Sequence, residues 1–221
     1  MFKFLSFKLW LALSTLGLLA ACAQPVKHVD YTAFKSSRPR SILVLPPENE
    51  TADVTATNSM LSQMTLPLAE SGYYVVPVAV MDETFKQNGL TMAAEIQATS
   101  PAKLREIFGA DAALYSKVTQ YGTVYHLIDS ATVVTASAKL IDLKTGDVLW
   151  EGRASASSNE GNSNSGGGLI AMLVTAAIKQ IANSLTDKSH DIAGVTSYRL
   201  LHAGPPNGLL YGPRSPKYGT D

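Results

Sequence analysis

The clearest pattern in the sequence is residues 130–157, SATVVTASAKLIDLKTGDVLWEGRASAS. From Ser130 to Asp142, apolar and polar residues alternate with a period of two, which is typical of a strand with one buried face. One face is formed by Thr132, Val134, Ala136, Ala138 and Leu140. Leu143–Gly146 is a tight-turn sequence, because glycine takes a positive φ without strain. Asp147–Ser157 alternates again, with Val148, Trp150, Ala154 and Ala156 on one face. The segment therefore predicts an antiparallel β-hairpin.

Upstream of the hairpin, short apolar strands and helical patterns alternate. The predicted elements are a strand at Ser41–Leu45, a helix from Thr57 or Asn58 to Ser71, a strand at Tyr73–Val80, short helices near Asp82–Gln87 and Thr91–Ala98, a helix at Ser100–Gly109 and a strand at Ala112–Leu127. Pro77 indicates that this part of the second strand lies at an edge or at a bulge, and Ser100-Pro101 is a typical helix start. The element order predicts an α/β domain whose mixed sheet contains an antiparallel hairpin and has helices packed against it.

After the hairpin, Leu169–Leu185 has the spacing of an apolar helix. We expect this helix to pack on the sheet. A protomer interface is the second interpretation, and membrane insertion comes third because Lys179, Gln180 and Asn183 make insertion costly.

The first 21 residues have the layout of an export signal. Lys3 and Lys8 precede the apolar run Leu9–Leu19, which is shorter than the ~20 residues of a membrane-spanning helix. Leu19-Ala20-Ala21-Cys22 resembles the bacterial lipobox, and the resemblance implies that Cys22 is acylated and becomes the N-terminus. The alternative is an ordinary secretory signal with a chance cysteine, which is disfavoured because the single cysteine of the chain occupies the lipobox position. By resemblance to lipoprotein sorting, Ala23 implies the outer membrane.

Four segments follow from these patterns: a signal (1–21), a tether without a sustained period (22–40), the α/β domain (41–186) and an extended Pro/Gly-rich segment (187–221). The last segment mixes apolar, aromatic and basic residues. Leu209, Leu210, Tyr211 and Tyr218 are candidate partner-binding residues there, because such segments add to sheet edges or dock in grooves. Disorder is the alternative.

The sequence offers little catalytic or metal-binding chemistry. Lysine and arginine (18) balance aspartate and glutamate (18), so no nucleic-acid partner is expected. No nucleophile motif accompanies the four histidines, and Gly166–Gly168 lacks the lysine of a phosphate-binding loop. The acidic cluster Glu48, Glu50 and Asp53 is interpreted as a solvated loop rather than a metal site. We expect no enzyme activity, cofactor or metal.

Three stretches resemble the TolB N-terminal fold of periplasmic lipoproteins. They are Arg40–Thr51 (RSILVLPPENET), Leu104–Gly122 with its Phe-Gly-Ala-Asp-Ala, and Leu140–Trp150 with its D-x-x-T-G-x-x-W hairpin. CsgG-type secretion lipoproteins and LpoB-type activators of a peptidoglycan synthase are similar in the opening strand. As a whole, the chain most resembles a family of Gram-negative lipoproteins of unknown function.

The resemblance implies a non-enzymatic interaction domain on an outer-membrane anchor, on the periplasmic face. The expected partners are the membrane, through the lipid on Cys22, and a protein of a secretion or transport complex, with a homo-oligomer as a further expectation. Activation of a peptidoglycan synthase and an oligomeric export component are the alternatives. The amphipathic insertions of CsgG-type pores have no counterpart in this sequence.

Overall fold

The structure is a computed structural model that describes residues 29–125, 130–160, 176, 178, 181 and 187–221. These residues form one mixed sheet with strands β1 (Ser41–Val44), β2 (Glu48–Asn49), β3 (Tyr74–Val75), β4 (Ala112–Tyr125), β5 (Ser130–Asp142) and β6 (Val148–Ser157). The sheet order is β3-β1-β4-β5-β6, and β2 also pairs with β4. β1 is parallel to β3 and β4, whereas β4, β5 and β6 are antiparallel. The predicted fold class is confirmed.

The described helices form a layer on each face of the sheet. They are α1 (Thr32–Ser37), α2 (Ala56–Glu70), α3 (Val78–Gln87), α4 (Ala93–Gln97), α5 (Pro101–Phe108) and α6 (Lys188–Leu201). Successive residues of a strand point to opposite faces. Ile42 and Val44 therefore join the cluster that contains α2 and α6, whereas Leu43 joins the cluster that contains α3–α5.

The two helix layers differ in how much of the sheet they cover. α6 packs against α2, β5 and β6, whereas α3, α4 and α5 contact β1, β2 and β4 respectively. On the face of α3–α5, no described helix covers β5 and β6. This uncovered area is the starting point for the candidate site.

The hairpin forms as predicted, with one difference. Gly146 has a φ of 83°, and Asp142 accepts hydrogen bonds from the turn. Leu140 pairs with Trp150 but Ile141 pairs with Val148, so Leu149 is an extra residue in a β-bulge. The bulge buries both Leu149 and Trp150 and leaves Val148 46% exposed. The predicted burial of Val148 is therefore wrong, because a strict period of two does not allow for a bulge.

Both predicted segment boundaries at the ends of the domain are wrong. Within the predicted tether, α1 buries Phe34 in the main core. Within the predicted extended segment 187–221, α6 begins at Asp187, whose carboxylate accepts hydrogen bonds from the backbone N–H of Ser189 (3.1 Å) and His190 (3.3 Å). Its buried residues include Ile192, Ala193, Thr196, Leu200 and Leu201.

Two smaller points concern the segments around β3 and α5. The predicted strand Tyr73–Val80 is shorter in the structure, where only β3 is a strand, because the next helix starts directly after Pro77. β3 does lie at the edge of the described sheet. α5 buries Leu104, whereas Ile107 is 41% exposed. The start at Ser100 is confirmed, since its side chain accepts a hydrogen bond from Lys103 N–H.

The signal, Cys22 and most of Leu169–Leu185 lie outside the described residues. Within the last of these, Ala176, Ile178 and Ile181 are helical. Ile178 is buried in the main core and Ile181 packs against it. These contacts agree with a helix that packs on the sheet.

Candidate functional site

The uncovered sheet face forms a groove of about 630 Å³. Tyr115 and Lys117 of β4, Lys139 of β5 and Glu151 of β6 line it, and α4 forms one side through Gln97. The Gln97 side-chain amide donates to the carbonyls of Pro46 (2.7 Å) and Ser116 (2.9 Å), which fixes α4 at the groove edge. The walls of the groove are therefore held in place by hydrogen bonds of the fold.

Charges in the groove are paired across neighbouring strands. Lys139 Nζ lies 3.1 Å from Glu151 Oε1. Lys117 Nζ lies 2.8 Å from Glu50 and 3.2 Å from Glu48, and the hydrogen bonds to these two carboxylates raise the pKa of Lys117. Glu48 thus lines the groove as a partner of Lys117, and Glu50 is the second partner of that lysine.

The C-terminal residues form a second candidate surface at the end of the sheet where β1 begins. The tail lies against the end of α2: Gly212 N–H donates to Ser71 O (2.8 Å) and Arg214 N–H to Gly72 O (3.0 Å). The Tyr73 hydroxyl donates to Leu210 O at 2.6 Å. The Trp150 indole N–H donates to Asn207 O at 2.9 Å. The tail is therefore part of the folded domain.

A cavity of about 360 Å³ lies between this tail and α1. One side of the cavity is lined by Lys35 of α1 and by Arg38, the residue that follows α1. The other side is lined by Tyr211, Tyr218 and Asp221. Tyr73 is also in the wall, where burial, then the nearby Asp221 and Tyr218, raise its pKa far above the usual value of 10.

The structure places three of the four predicted tail residues at this surface and the fourth in the core. Leu209 is fully buried in the main core, so it cannot contact a partner. Leu210 and Tyr211 are half-buried, and Tyr218 is 49% exposed. The expectation for Leu209 is wrong, because the sequence alone does not show that the tail folds back onto Ser71–Tyr73.

A serine and a histidine meet between α2 and α6, a contact that no pattern in the sequence indicates. Ser59 Oγ lies 2.8 Å from His190 Nδ1, and Gln63 Nε2 lies 2.8 Å from His190 Nε2. The Tyr121 hydroxyl donates to Ser59 Oγ at 2.8 Å. The cluster joins α2, α6 and β4 through side chains of all three elements.

The described residues contain neither a candidate metal site nor a candidate membrane-spanning helix. In that part of the chain, no three His, Cys, Asp or Glu side chains are grouped so that they could hold a metal ion. None of the described helices has the length and apolar character needed to span a bilayer.

Comparison with known proteins identifies the family. Residues 29–214 match the family model described as "Putative lipoprotein GNA1162-like". The chain belongs to the GNA1162-like lipoprotein family. It is 51% identical over 205 residues to "Putative lipoprotein NMB1124/NMB1162" of Neisseria meningitidis serogroup B, a match that covers 92% of this chain and 94% of the relative. The expected membership of a Gram-negative lipoprotein family is confirmed.

The chain is similar to two solved structures. The crystal structure of lipoprotein GNA1162 from Neisseria meningitidis is 55% identical and has a TM-score of 0.54, and the match covers 66% of this chain and all of that one. The LpoB C-terminal domain from Salmonella enterica is 21% identical with a TM-score of 0.38, over 53% of this chain and 82% of that one. The GNA1162 crystal structure therefore shares the fold of this chain.

Proposed function

We propose that this protein is a lipid-anchored, non-enzymatic subunit of a cell-envelope complex and that it binds its protein partner through the uncovered sheet face. The anchor is acylated Cys22, and the domain stands on the periplasmic face of the outer membrane. Family membership and the lipobox support the anchor. The observation that carries the interaction role is the groove over β4–β6, which α3–α5 leave open.

The chemistry of the groove suits a protein partner. The side chains of Lys139 and Glu151 are 59% and 55% exposed, so their mutual attraction is weak and each can exchange its partner at little cost. β6 is also the last strand in the described sheet order, and an extended segment of a partner can add to such an edge. Charged side chains then select the partner by their pattern.

The test is cross-linking in intact cells with an affinity tag placed between Gly161 and Gly168. The groove variant exchanges one ion pair, Lys139→Glu with Glu151→Lys, so that the pair survives but its pattern is reversed. The matched control exchanges the pair on α5, Lys103→Glu with Glu106→Lys, whose atoms lie 3.0 Å apart and whose side chains are 53% and 69% exposed. Both variants keep the net charge of the chain.

We expect the groove exchange to lower capture of the envelope partner about tenfold or more, since each misplaced charge opposes binding. The α5 exchange should leave capture unchanged. Equal capture by both variants would refute the groove as the partner surface. A captured glycan polymerase would favour synthase activation, and recovery of self-linked chains alone would favour an oligomeric export component.

A further inference from the structure

Five basic residues surround the end of the domain where the tether joins it. We infer that this basic collar, defined as Lys35, Arg38, Arg40, Arg214 and Lys217, docks on an anionic phospholipid surface. The inference rests on the proposed anchoring at Cys22. It adds the orientation of the domain and the class of lipid that the domain contacts.

The collar is continuous although its members come from separate parts of the chain. Lys35 and Arg38 share the 360 Å³ cavity with Tyr211. Lys217 Nζ lies 5.4 Å from the centre of the Tyr211 ring, which joins the tail to this side. On the other side, Tyr74 N–H donates to Arg40 O at 3.0 Å.

The Tyr74 ring completes the link to the tail, because its centre is 5.4 Å from the guanidinium of Arg214. All five basic residues are exposed. The collar therefore follows the end of the sheet from α1, across the start of β1, to the tail.

The collar residues form no ion pair with the described residues. The described ion pairs involve Lys86, Lys103, Lys117, Lys139 and Arg199, and none involves a collar residue. Four carboxylates lie in the same area: Asp221 lines the cavity, Asp30 lies just before α1, Asp111 accepts from the backbone N–H of Arg40 at 3.0 Å, and Asp142 accepts from the hydroxyl of Ser37. The five basic side chains outnumber them by one and form none of the described ion pairs with them, so these basic groups are available to an external anion.

The short tether indicates that the anion contacted by the collar is the membrane surface itself. Cys22 is seven residues before Val29, which packs against the core. An extended chain covers at most about 3.6 Å per residue, so acylated Cys22 lies within roughly 25 Å of the collar. Tyr74 and Tyr218 are 45% and 49% exposed beside the basic side chains. Tyrosine next to lysine and arginine is the composition that favours the headgroup region of a bilayer.

The orientation leaves the rest of the domain accessible. β5 ends at Asp142, near the collar, and its 13 residues extend about 40 Å at ~3.3 Å per residue. Tyr125, paired with Ser130 at the opposite end, is 83% exposed. A domain docked through the collar thus presents the groove along its side and the hairpin end away from the lipid.

The experiment uses the mature lipoprotein, purified from membranes and reconstituted into vesicles. A fluorophore on Thr220→Cys, an exposed residue close to the collar, reports energy transfer to labelled headgroups. Vesicles contain phosphatidylcholine alone or with phosphatidylglycerol. The collar variant carries Lys35→Gln, Arg38→Gln, Arg214→Gln and Lys217→Gln. The matched control carries four equivalent changes elsewhere: Lys86→Gln, Lys103→Gln, Arg153→Gln and Lys188→Gln.

We expect strong transfer in the phosphatidylglycerol vesicles and loss of transfer at roughly 1 M NaCl, where the screening length is about 3 Å. The four collar changes should lower the ratio of docked to undocked domain several hundredfold, at about fivefold per basic residue near an anionic surface. The control should behave as the unaltered chain. Transfer that is equal in both lipids, or insensitive to salt, would overturn the inference even if the collar variant failed to fold.

Failure of the anchor is distinguishable from failure of the collar. If Cys22 is acylated, the protein floats with phosphatidylcholine vesicles at high salt. If it does not float there, the anchoring proposal fails. Docking of the collar is then tested by flotation of the same protein with phosphatidylglycerol vesicles. Salt-sensitive flotation would support docking, and the absence of flotation would overturn it.

Discussion

The docked tail makes a sharp prediction for Gly212→Ala. A Cβ on Gly212 would lie 2.6 Å from the carbonyl carbon and oxygen of Gly72 and 2.9 Å from the nitrogen of Tyr73. These are backbone atoms, so no side chain can move aside. Overpacking of this kind costs about 1–3 kcal/mol. Displacement also weakens the hydrogen bonds from Gly212 to Ser71 and from Arg214 to Gly72, at about 1 kcal/mol each.

The expected total is about 3–5 kcal/mol against tail docking, which raises the open population roughly 150- to 5000-fold. Trypsin measures this population through cleavage after Arg214 and Lys217, since cleavage follows the open fraction when closing is fast. The matched control is Gly219→Ala. A Cβ there meets no atom within 4 Å, and only its φ of 78° opposes the change, at about 1 kcal/mol. Cleavage of Gly212→Ala no faster than that of the control would refute the docked tail.

Three further changes have defined outcomes. Gly152→Ala places a Cβ 2.3 Å from the Trp150 ring and should cost about 1–3 kcal/mol in urea unfolding, with an altered near-ultraviolet signal; an unchanged midpoint would contradict the packing. Burial raises the pKa of Tyr73 above 10, so the free energy of unfolding should fall as the pH rises above 10, where only the unfolded chain ionises this group. Tyr73→Phe should remove that part of the pH dependence and cost about 1 kcal/mol at neutral pH through the lost bond to Leu210 O; an identical pH dependence would contradict the assignment. Cys22→Ser should release the protein from the membrane fraction and remove the acyl mass, and retention would contradict the anchor.

The sequence predicts the hairpin and the layer order because these depend on local signals. The alternation in Ser130–Asp142 and the turn at Gly146 need no knowledge of distant residues. The bulge at Leu149 is not predictable in the same way, since it is set by packing of Trp150 in the core. α6 escaped prediction because Gly194, Thr196 and Ser197 weaken its apolar pattern, although Thr196 and Ser197 are fully buried.

The candidate sites depend on distant residues and were not predictable. The groove exists because α3–α5 end their coverage at β4, which no local pattern shows. The collar joins Lys35–Arg40 to Arg214 and Lys217, more than 170 positions later. The apolar character of Leu209 predicts contact with a partner, and that same character places it in the core. A composition that favours binding to a partner also favours binding to the protein's own surface.

Docking of the tail on the domain should be coupled to docking of the collar on the membrane. Arg214 and Lys217 stand beside Tyr74 and Tyr211 only while Gly212 rests against Gly72. Once the tail is released, these two residues keep their charge but lose their fixed position in the collar, which leaves Lys35, Arg38 and Arg40 in place. Gly212→Ala should therefore lower the docked fraction on phosphatidylglycerol vesicles by up to about 25-fold, the effect of two basic residues, without altering flotation through Cys22. Gly219→Ala should not. If tail release leaves docking unchanged, the tail takes no part in the collar, and the membrane contact belongs to α1 and the start of β1.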